Sequence, residues 1–231
     1  MAVILNIETS SKLCSISVSE YGRPLFYLSD SEEMNHAVSL APFAKKCFNF
    51  LKEEHKQLDA VAVSLGPGSY TGLRIGLSFA KGICFSLNIP LIGISTLKIL
   101  STKAMFKYPD WQGTEKIVPM IDARRMEVYT ACYNPDLSEY INEQPLILDH
   151  ESFNQLFNFE KILFIGDGSK KFETLYKGNN GVWLGDDLPD AKDMSSLAEL
   201  AYIKEDFIDA AYSTPNYLKD FHTTTPKNKI F

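Results

Sequence analysis

The chain has 231 residues, of which 45% are hydrophobic and 23% charged, a composition typical of a globular protein with one core or two small ones. Its formal net charge of −6 disfavours strong direct binding to nucleic acid, because phosphate backbones are bound by clustered Lys and Arg. No apolar run reaches membrane-spanning length, and the four cysteines show no C-x-x-C spacing. These features favour a cytoplasmic protein with buried free thiols and no membrane contact.

The first half of the chain predicts three strands, then helices alternating with strands. Residues 3–7 are apolar except for Asn6, which is typical of a strand covered on both faces. Residues 14–19 alternate Ser with apolar side chains, which predicts a half-exposed neighbour. A third strand is predicted at 25–28, and apolar residues at three-and-four spacing predict a helix over 37–51. Buried strands at 60–65 and 90–94 are each followed by a helical pattern. This is the element order of a ribonuclease-H-like lobe.

The second half repeats features of the first. A polar, turn-rich stretch at 107–114 predicts a boundary between an N-terminal lobe, 1–106, and a C-terminal lobe, 107–231. Each lobe opens with a strand that ends in a carboxylate, Glu8 or Asp122, and each carries a G-x-G-S loop, at 66–69 and 166–169. We therefore predict an α/β fold of two duplicated ribonuclease-H-like lobes. Residues 194–211 predict a helix, and the irregular tail from 214 either packs back on a lobe or is disordered.

The acidic strand ends and the Gly-rich loops raise a phosphate-binding hypothesis. Backbone N–H groups in such loops converge on phosphate, as in actin-like kinases that hold Mg-ATP. The alternative is that the glycines only permit tight turns, so that weak ATP or ADP binding is left open and no cofactor is required. The candidate residues of this vestigial site are Glu8, Thr9, Ser10, Gly66, Gly68, Ser69, Asp122, Gly166 and Gly168.

Catalytic groups are not indicated. Glu8 and Asp122 could pair across a cleft, but neither has the further acidic residues or Lys of a phosphoryl-transfer site, so we expect each to accept from nearby backbone N–H groups. A His at position 40 would place two imidazoles one helical turn apart with His36, but position 40 is Leu. We therefore expect no metal site and no catalytic residue.

A stripe of small residues follows the first glycine loop. Gly72, Gly76 and Ala80 recur every four residues, which lets another helix approach closely, although packing inside the lobe would also explain the stripe. A second apolar face, at Ile75, Phe79 and Ile83, indicates that one face serves the sheet and the other a partner. The residues assigned to a candidate partner interface are Gly72, Leu73, Gly76, Leu77, Ala80, His36 and Leu40.

Several stretches resemble the TsaB/YeaZ family. Residues 63–76, with the sequence VSLGPGSYTGLRIG, are similar to the signature of that family. Residues 4–10, 119–124, 127–129 and the PNYLK segment at 215–219 are similar to it as well. The resemblance covers most of the chain and is diffuse between about residues 134 and 211.

The resemblance implies an actin-like two-lobed fold and a non-catalytic role in forming threonylcarbamoyladenosine at position 37 of tRNAs that read ANN codons. It implies a catalytic TsaD-like partner bound through helices of the first lobe, a TsaE-like ATPase in the assembly, a homodimer in isolation, and contact with tRNA only through the complex. Arg74 is then expected to pair with an acidic group of a partner or of its own lobe. The alternative functions are an actin-like ATP-binding kinase or ATPase and a metallopeptidase-like protein.

Overall fold

The computed structural model describes residues 2–31, 36–108, 110, 112–113 and 115–219. The first half contains β1 (Val3–Glu8), β2 (Cys14–Glu20), β3 (Arg23–Asp30), α1 (His36–Glu53), β4 (Ala60–Gly66), α2 (Tyr70–Leu87), β5 (Leu91–Ser95) and α3 (Thr96–Lys107). This order confirms the one that the hydrophobic pattern predicts.

The second half repeats the arrangement. It contains β6 (Lys116–Asp122), β7 (Glu127–Tyr133), β8 (Glu139–Ile147), a 3-10 helix (Asn154–Leu156), β9 (Ile162–Ile165), α4 (Ser169–Glu173), β10 (Gly181–Trp183), a second 3-10 helix (Ala191–Met194) and α5 (Ser195–Ile203). The sheets have the strand orders β3-β2-β1-β4-β5 and β8-β7-β6-β9-β10, each with two antiparallel and then two parallel pairings. The matching topology confirms an actin-like α/β fold of two duplicated lobes.

Strand β1 shows why the first sheet is covered on both faces. Successive side chains of a strand point to opposite sides, and here Val3, Leu5 and Ile7 pack with the core beneath α1 and α2. Ala2 and Ile4 pack on the other side with residues of α3 and α5. The largely apolar segment therefore corresponds to a strand between two cores.

The prediction that β2 is half-exposed is wrong. Ser15, Ser17 and Ser19 of this strand are buried. The chain returns over them after the second sheet, and the Ala191 N–H donates to Ser15 Oγ at 2.9 Å while Ser17 Oγ donates to the Ala191 carbonyl oxygen at 3.0 Å. Ser15 and Ser17 can be buried against this segment because their hydroxyls satisfy its backbone groups. The Ser19 hydroxyl bonds instead within its own sheet, to Asn6 and Ile4 of β1.

The returning segment also connects the two lobes. Ala191, Met194 and Ala198 belong to the apolar core on the outer face of the first sheet, although they follow the second sheet in sequence. The helical pattern predicted over 194–211 ends at Ile203. Most of the predicted tail, residues 220–231, lies outside the described residues.

The described helices include none that is long and apolar enough to cross a membrane. The four cysteines, Cys14, Cys47, Cys84 and Cys132, are free and buried. Burial raises the pKa of Cys47 and Cys132 to about 12 and that of Cys14 and Cys84 to about 11, which keeps these thiols protonated and unreactive.

Candidate functional site

The small-residue stripe of α2 faces the inside of its own lobe. Gly72 and Gly76 lie against Thr9 at the end of β1, and a Cβ atom on either glycine would collide with it. Thr9 Oγ1 donates to the Gly72 carbonyl oxygen at 2.8 Å, which fixes this close approach. The glycines are therefore required where the helix crosses β1.

The other residues of the predicted interface are also internal. Leu73, Leu77, Ala80 and Leu40 are buried, and His36 is 8% exposed. His36 Nε2 donates to the Ser11 carbonyl oxygen at 2.7 Å, so its ring links α1 to the loop after β1. The assignment of these seven residues to a partner surface is thus corrected: the two helices use this face to bind their own sheet.

The opposite face of α2 is open. Together with Phe48 of α1 it forms a groove of about 530 Å³, which is lined by Phe48, Ser78, Phe79, Gly82, Ile83, Ser86 and Leu87. A Cβ atom added at Gly82 would meet no atom within 4 Å. Phe85, on the same outer face, is 91% exposed. Phe79 and Ile83 of the groove belong to the second apolar face that the sequence shows on α2.

The first glycine loop is bound to the end of β1. The Ser69 N–H donates to the Ser10 carbonyl oxygen at 2.6 Å, and Ser69 Oγ accepts from the Gly72 N–H at 3.2 Å as the N-cap of α2. Gly68 packs so closely on Ser10 that a side chain would collide with its carbonyl oxygen. The N–H and the hydroxyl of Ser69 are therefore engaged within the lobe, whereas the buried Ser10 Oγ has no hydrogen-bond partner among the described residues.

Glu8 is buried beneath this loop and is fully shielded from solvent. Its Oε1 accepts from the Ser10 N–H at 2.5 Å, and its Oε2 has no hydrogen-bond partner among the described residues. Desolvation raises the pKa of this carboxyl to about 7, against the hydrogen bonds that lower it. Glu8 is thus a buried carboxyl at the end of β1 whose pKa is well above the usual value for Glu.

The second loop is satisfied in the same way. The Gly168 N–H donates to the Met120 carbonyl oxygen at 3.0 Å and the Gly166 N–H to that of Gly185 at 3.1 Å. Gly166 and Gly66 share a backbone φ of +108°, a left-handed conformation that favours glycine, so the sequence echo is also a structural one.

Asp122 differs from its counterpart Glu8 because it lies at the surface. Its Oδ1 accepts from the Arg124 N–H and from Lys171 Nζ, each at 2.5 Å. Burial raises the pKa of the neighbouring Asp167, whose Oδ1 accepts from the Asp122 N–H. The expectation that Glu8 and Asp122 each accept from a backbone N–H beyond the strand is what the contacts show.

The C-terminal segment reaches the same region, so the described part of the tail from 214 packs back on the first lobe, one of the two alternatives that the sequence left open. The Asn216 N–H donates to the Leu65 carbonyl oxygen at 2.7 Å, and the Arg74 guanidinium lies 4.0 Å from the centroid of the Tyr70 ring. Arg74 Nε donates to the Tyr217 hydroxyl at 2.9 Å. Arg74 thus binds two tyrosines of its own chain instead of a carboxylate.

The strap, residues 208–219, then crosses to the second lobe. Ile208 forms a bridge with Leu91 at the edge of the first sheet, and Lys219 forms an ion pair with Glu127 of β7. Among the described residues no group of three or more His, Cys, Asp or Glu side chains could hold a metal ion.

Comparison with known proteins gives consistent results. Residues 31–226 match the family model described as TsaD, tRNA N6-adenosine threonylcarbamoyltransferase. The chain is 34% identical to the tRNA threonylcarbamoyladenosine biosynthesis protein TsaB of Buchnera aphidicola from Schizaphis graminum, over 74% of this chain and 81% of that one. It is 29% identical to TsaB of Escherichia coli over 94% of both chains. The solved structure of YeaZ from Pseudomonas aeruginosa superposes with a TM-score of 0.78 at 28% identity, covering 94% of this chain and 100% of that one.

Proposed function

Given that this chain belongs to the TsaB/YeaZ family of tRNA threonylcarbamoyladenosine biosynthesis proteins, we propose that it is a non-catalytic subunit of the synthesis complex. In this role it binds and activates a TsaD-like catalytic subunit. A TsaE-like ATPase joins the assembly, and tRNA is modified by the complex and not by this chain alone.

The observation that carries the proposal is the open apolar face of α1 and α2. Phe85 is 91% exposed, and Phe48 and Leu87 are 36% and 46% exposed at the adjacent groove. Exposed aromatic and aliphatic side chains that border a groove are typical of protein–protein interfaces. The floor at Gly82 is free of side-chain atoms, which allows a partner helix to approach closely.

The occupant that we propose is the catalytic paralogue. The family model that matches 31–226 describes a threonylcarbamoyltransferase, which supports a partner of the same fold, and we propose that this partner offers the equivalent pair of helices. Two such helix pairs can pack face to face. Without the paralogue the same face would be covered by a second copy of this chain, so we expect a homodimer in isolation.

The non-catalytic role is supported by how the candidate catalytic groups are used. Leu40 occupies the position where a second metal-binding His would lie, and His36 Nε2 is bonded to Ser11. The N–H groups of Ser69 and Gly168 donate to carbonyl oxygens of the chain itself. We therefore propose that no cofactor is required and that ATP or ADP binds weakly or not at all.

A binding experiment with matched variants tests the interface. The affinity of this chain for the TsaD-like protein of the same organism is measured by calorimetry for wild type, Phe85→Ser, Gly82→Leu and Phe106→Ser. Burying a Phe contributes about 1.5–3 kcal/mol, so Phe85→Ser should raise Kd by about 10- to 100-fold. Gly82→Leu should also weaken binding because it fills the groove.

Phe106→Ser is the control, because Phe106 is 76% exposed on α3, away from the groove. It should bind like wild type. Melting curves verify that each variant is folded, and Gly82→Leu should fold normally since its Cβ enters open space. Wild-type affinity for both Phe85→Ser and Gly82→Leu would refute the proposed interface.

A further inference from the structure

The turn between β6 and β7 carries two consecutive arginines in a left-handed backbone conformation. Arg124 and Arg125 have φ values of 69° and 49°, and they are the only adjacent non-glycine pair with positive φ among the described residues. Side chains other than Gly, Asn and Asp rarely adopt this conformation because Cβ crowds the backbone. Unfavourable residues at such positions are found preferentially where function requires the side chain.

The turn does not need these side chains for its own stability. It is closed by backbone bonds, from the Ala123 N–H to the Glu127 carbonyl oxygen at 3.1 Å and from the Glu127 N–H to the Arg124 carbonyl oxygen at 3.2 Å. The Asp122 carboxylate further fixes it by accepting from the Arg124 N–H. Asn or Gly would form the same turn with less strain.

The two carboxylates that flank the arginines are neutralised by lysines from elsewhere. Asp122 pairs with Lys171 of α4, and Glu127 pairs with Lys219 of the strap. Both guanidinium side chains are exposed, and neither has a hydrogen-bond or ion-pair partner in the part of the chain that the structure describes. The tip of the turn therefore presents two uncompensated positive charges, in a chain whose formal net charge is −6.

We propose that Arg124 and Arg125 bind backbone phosphates of the tRNA that the complex modifies. This inference rests on the proposed function. Guanidinium groups bind phosphate oxygens in a bidentate manner, and an exposed turn can reach a polyanion that a closed cleft excludes. Lys219 of the strap also lies beside this turn, where it pairs with Glu127.

The test measures tRNA binding by the assembled complex of this chain with its TsaD-like partner. The probe is an unmodified transcript of a tRNA that reads ANN codons, titrated at several salt concentrations. The variant is Arg124→Asn with Arg125→Asn, because Asn removes the charge and tolerates the left-handed conformation. Lys177→Ala with Lys204→Ala is the control, since it removes the same charge from two exposed sites outside α1 and α2.

The Asn variant should bind tRNA about tenfold more weakly near 0.1 M salt, and the slope of log affinity against log salt should fall by about 2. Its melting temperature should equal or exceed that of wild type, because backbone strain is relieved. The control should bind tRNA like wild type. This combination separates a binding role from a structural one.

Unchanged tRNA affinity and salt slope in the Asn variant, with the complex intact, would overturn the inference. A parallel titration with Mg-ATP distinguishes RNA phosphate from nucleotide phosphate: a loss confined to ATP binding would also overturn it. Failure of the wild-type chain to bind the TsaD-like protein would instead contradict the proposed function, and is detected before tRNA is added.

Discussion

Two glycines of α2 provide a sharp test of which face of the helix is internal. In Gly76→Ala the new methyl group would collide with Thr9 and displace the Oγ1 that donates to the Gly72 carbonyl oxygen. Overpacking costs about 1–3 kcal/mol and the lost hydrogen bond about 1 kcal/mol, while the better helix propensity of Ala returns about 1 kcal/mol. The free energy of unfolding should therefore fall by about 1–3 kcal/mol.

In Gly82→Ala the methyl group enters open space, so only the helix propensity changes and stability should rise by up to about 1 kcal/mol. Urea denaturation of both variants and wild type measures the difference, with unchanged m-values as the condition for comparison. If Gly76→Ala were as stable as Gly82→Ala, the stripe would not be packed against Thr9, and the assignment of the outer face to a partner would lose its basis.

Three further predictions concern the cleft and the strap. The pKa of Glu8 rises from 4.5 to about 7 in the folded state, so the protonated carboxyl favours folding. This contribution to the free energy of unfolding is present below pH 4.5 and is lost as pH rises through 7, which makes the protein less stable by about 3 kcal/mol at pH 8 than at pH 4.5. In Glu8→Gln, urea denaturation between pH 4.5 and pH 8 should show a free energy of unfolding without this pH dependence. The same pH dependence in the variant and in wild type would contradict the raised pKa of Glu8. Tyr217→Ala should lower the free energy of unfolding by about 1–2 kcal/mol through loss of its ring contact with Tyr70, whereas Tyr217→Phe should cost under about 1 kcal/mol; hydrogen exchange at the Asn216 amide reports whether the strap detaches, and protection unaffected by Tyr217→Ala would be the adverse result. Calorimetric titration with Mg-ATP should give millimolar or undetectable affinity, because the N–H groups of Ser69 and Gly168 are already bonded within the chain, and micromolar affinity would contradict this.

Local periodicity was enough to predict most of the fold. The apolar run of β1 and the three-and-four spacing in α1 are set by neighbours within one element, and the repeated strand ends at Glu8 and Asp122 indicate the duplication. The glycine loops were also located from sequence, because their turns require left-handed residues such as Gly66 and Gly166.

Contacts between distant segments could not be predicted in this way. The sequence shows that α2 is apolar on two sides, but the side that is covered depends on Thr9, which lies 63 residues before Gly72. The serines of β2 are buried by a segment more than 170 residues later. The pairing of Arg74 with Tyr217 spans 143 residues, and no local pattern specifies it.

The central claim is that the exposed face of α1 and α2 recruits a catalytic partner for tRNA modification. The most direct test is threonylcarbamoyladenosine formation on unmodified tRNA with the matching TsaD-like and TsaE-like proteins and a source of threonylcarbamoyl-adenylate. Product formation should require the wild-type chain, which should be inactive alone. When this chain is present at limiting concentration, Phe85→Ser should reduce the rate of product formation and Phe106→Ser should not. Product formed equally well without this chain would contradict the account.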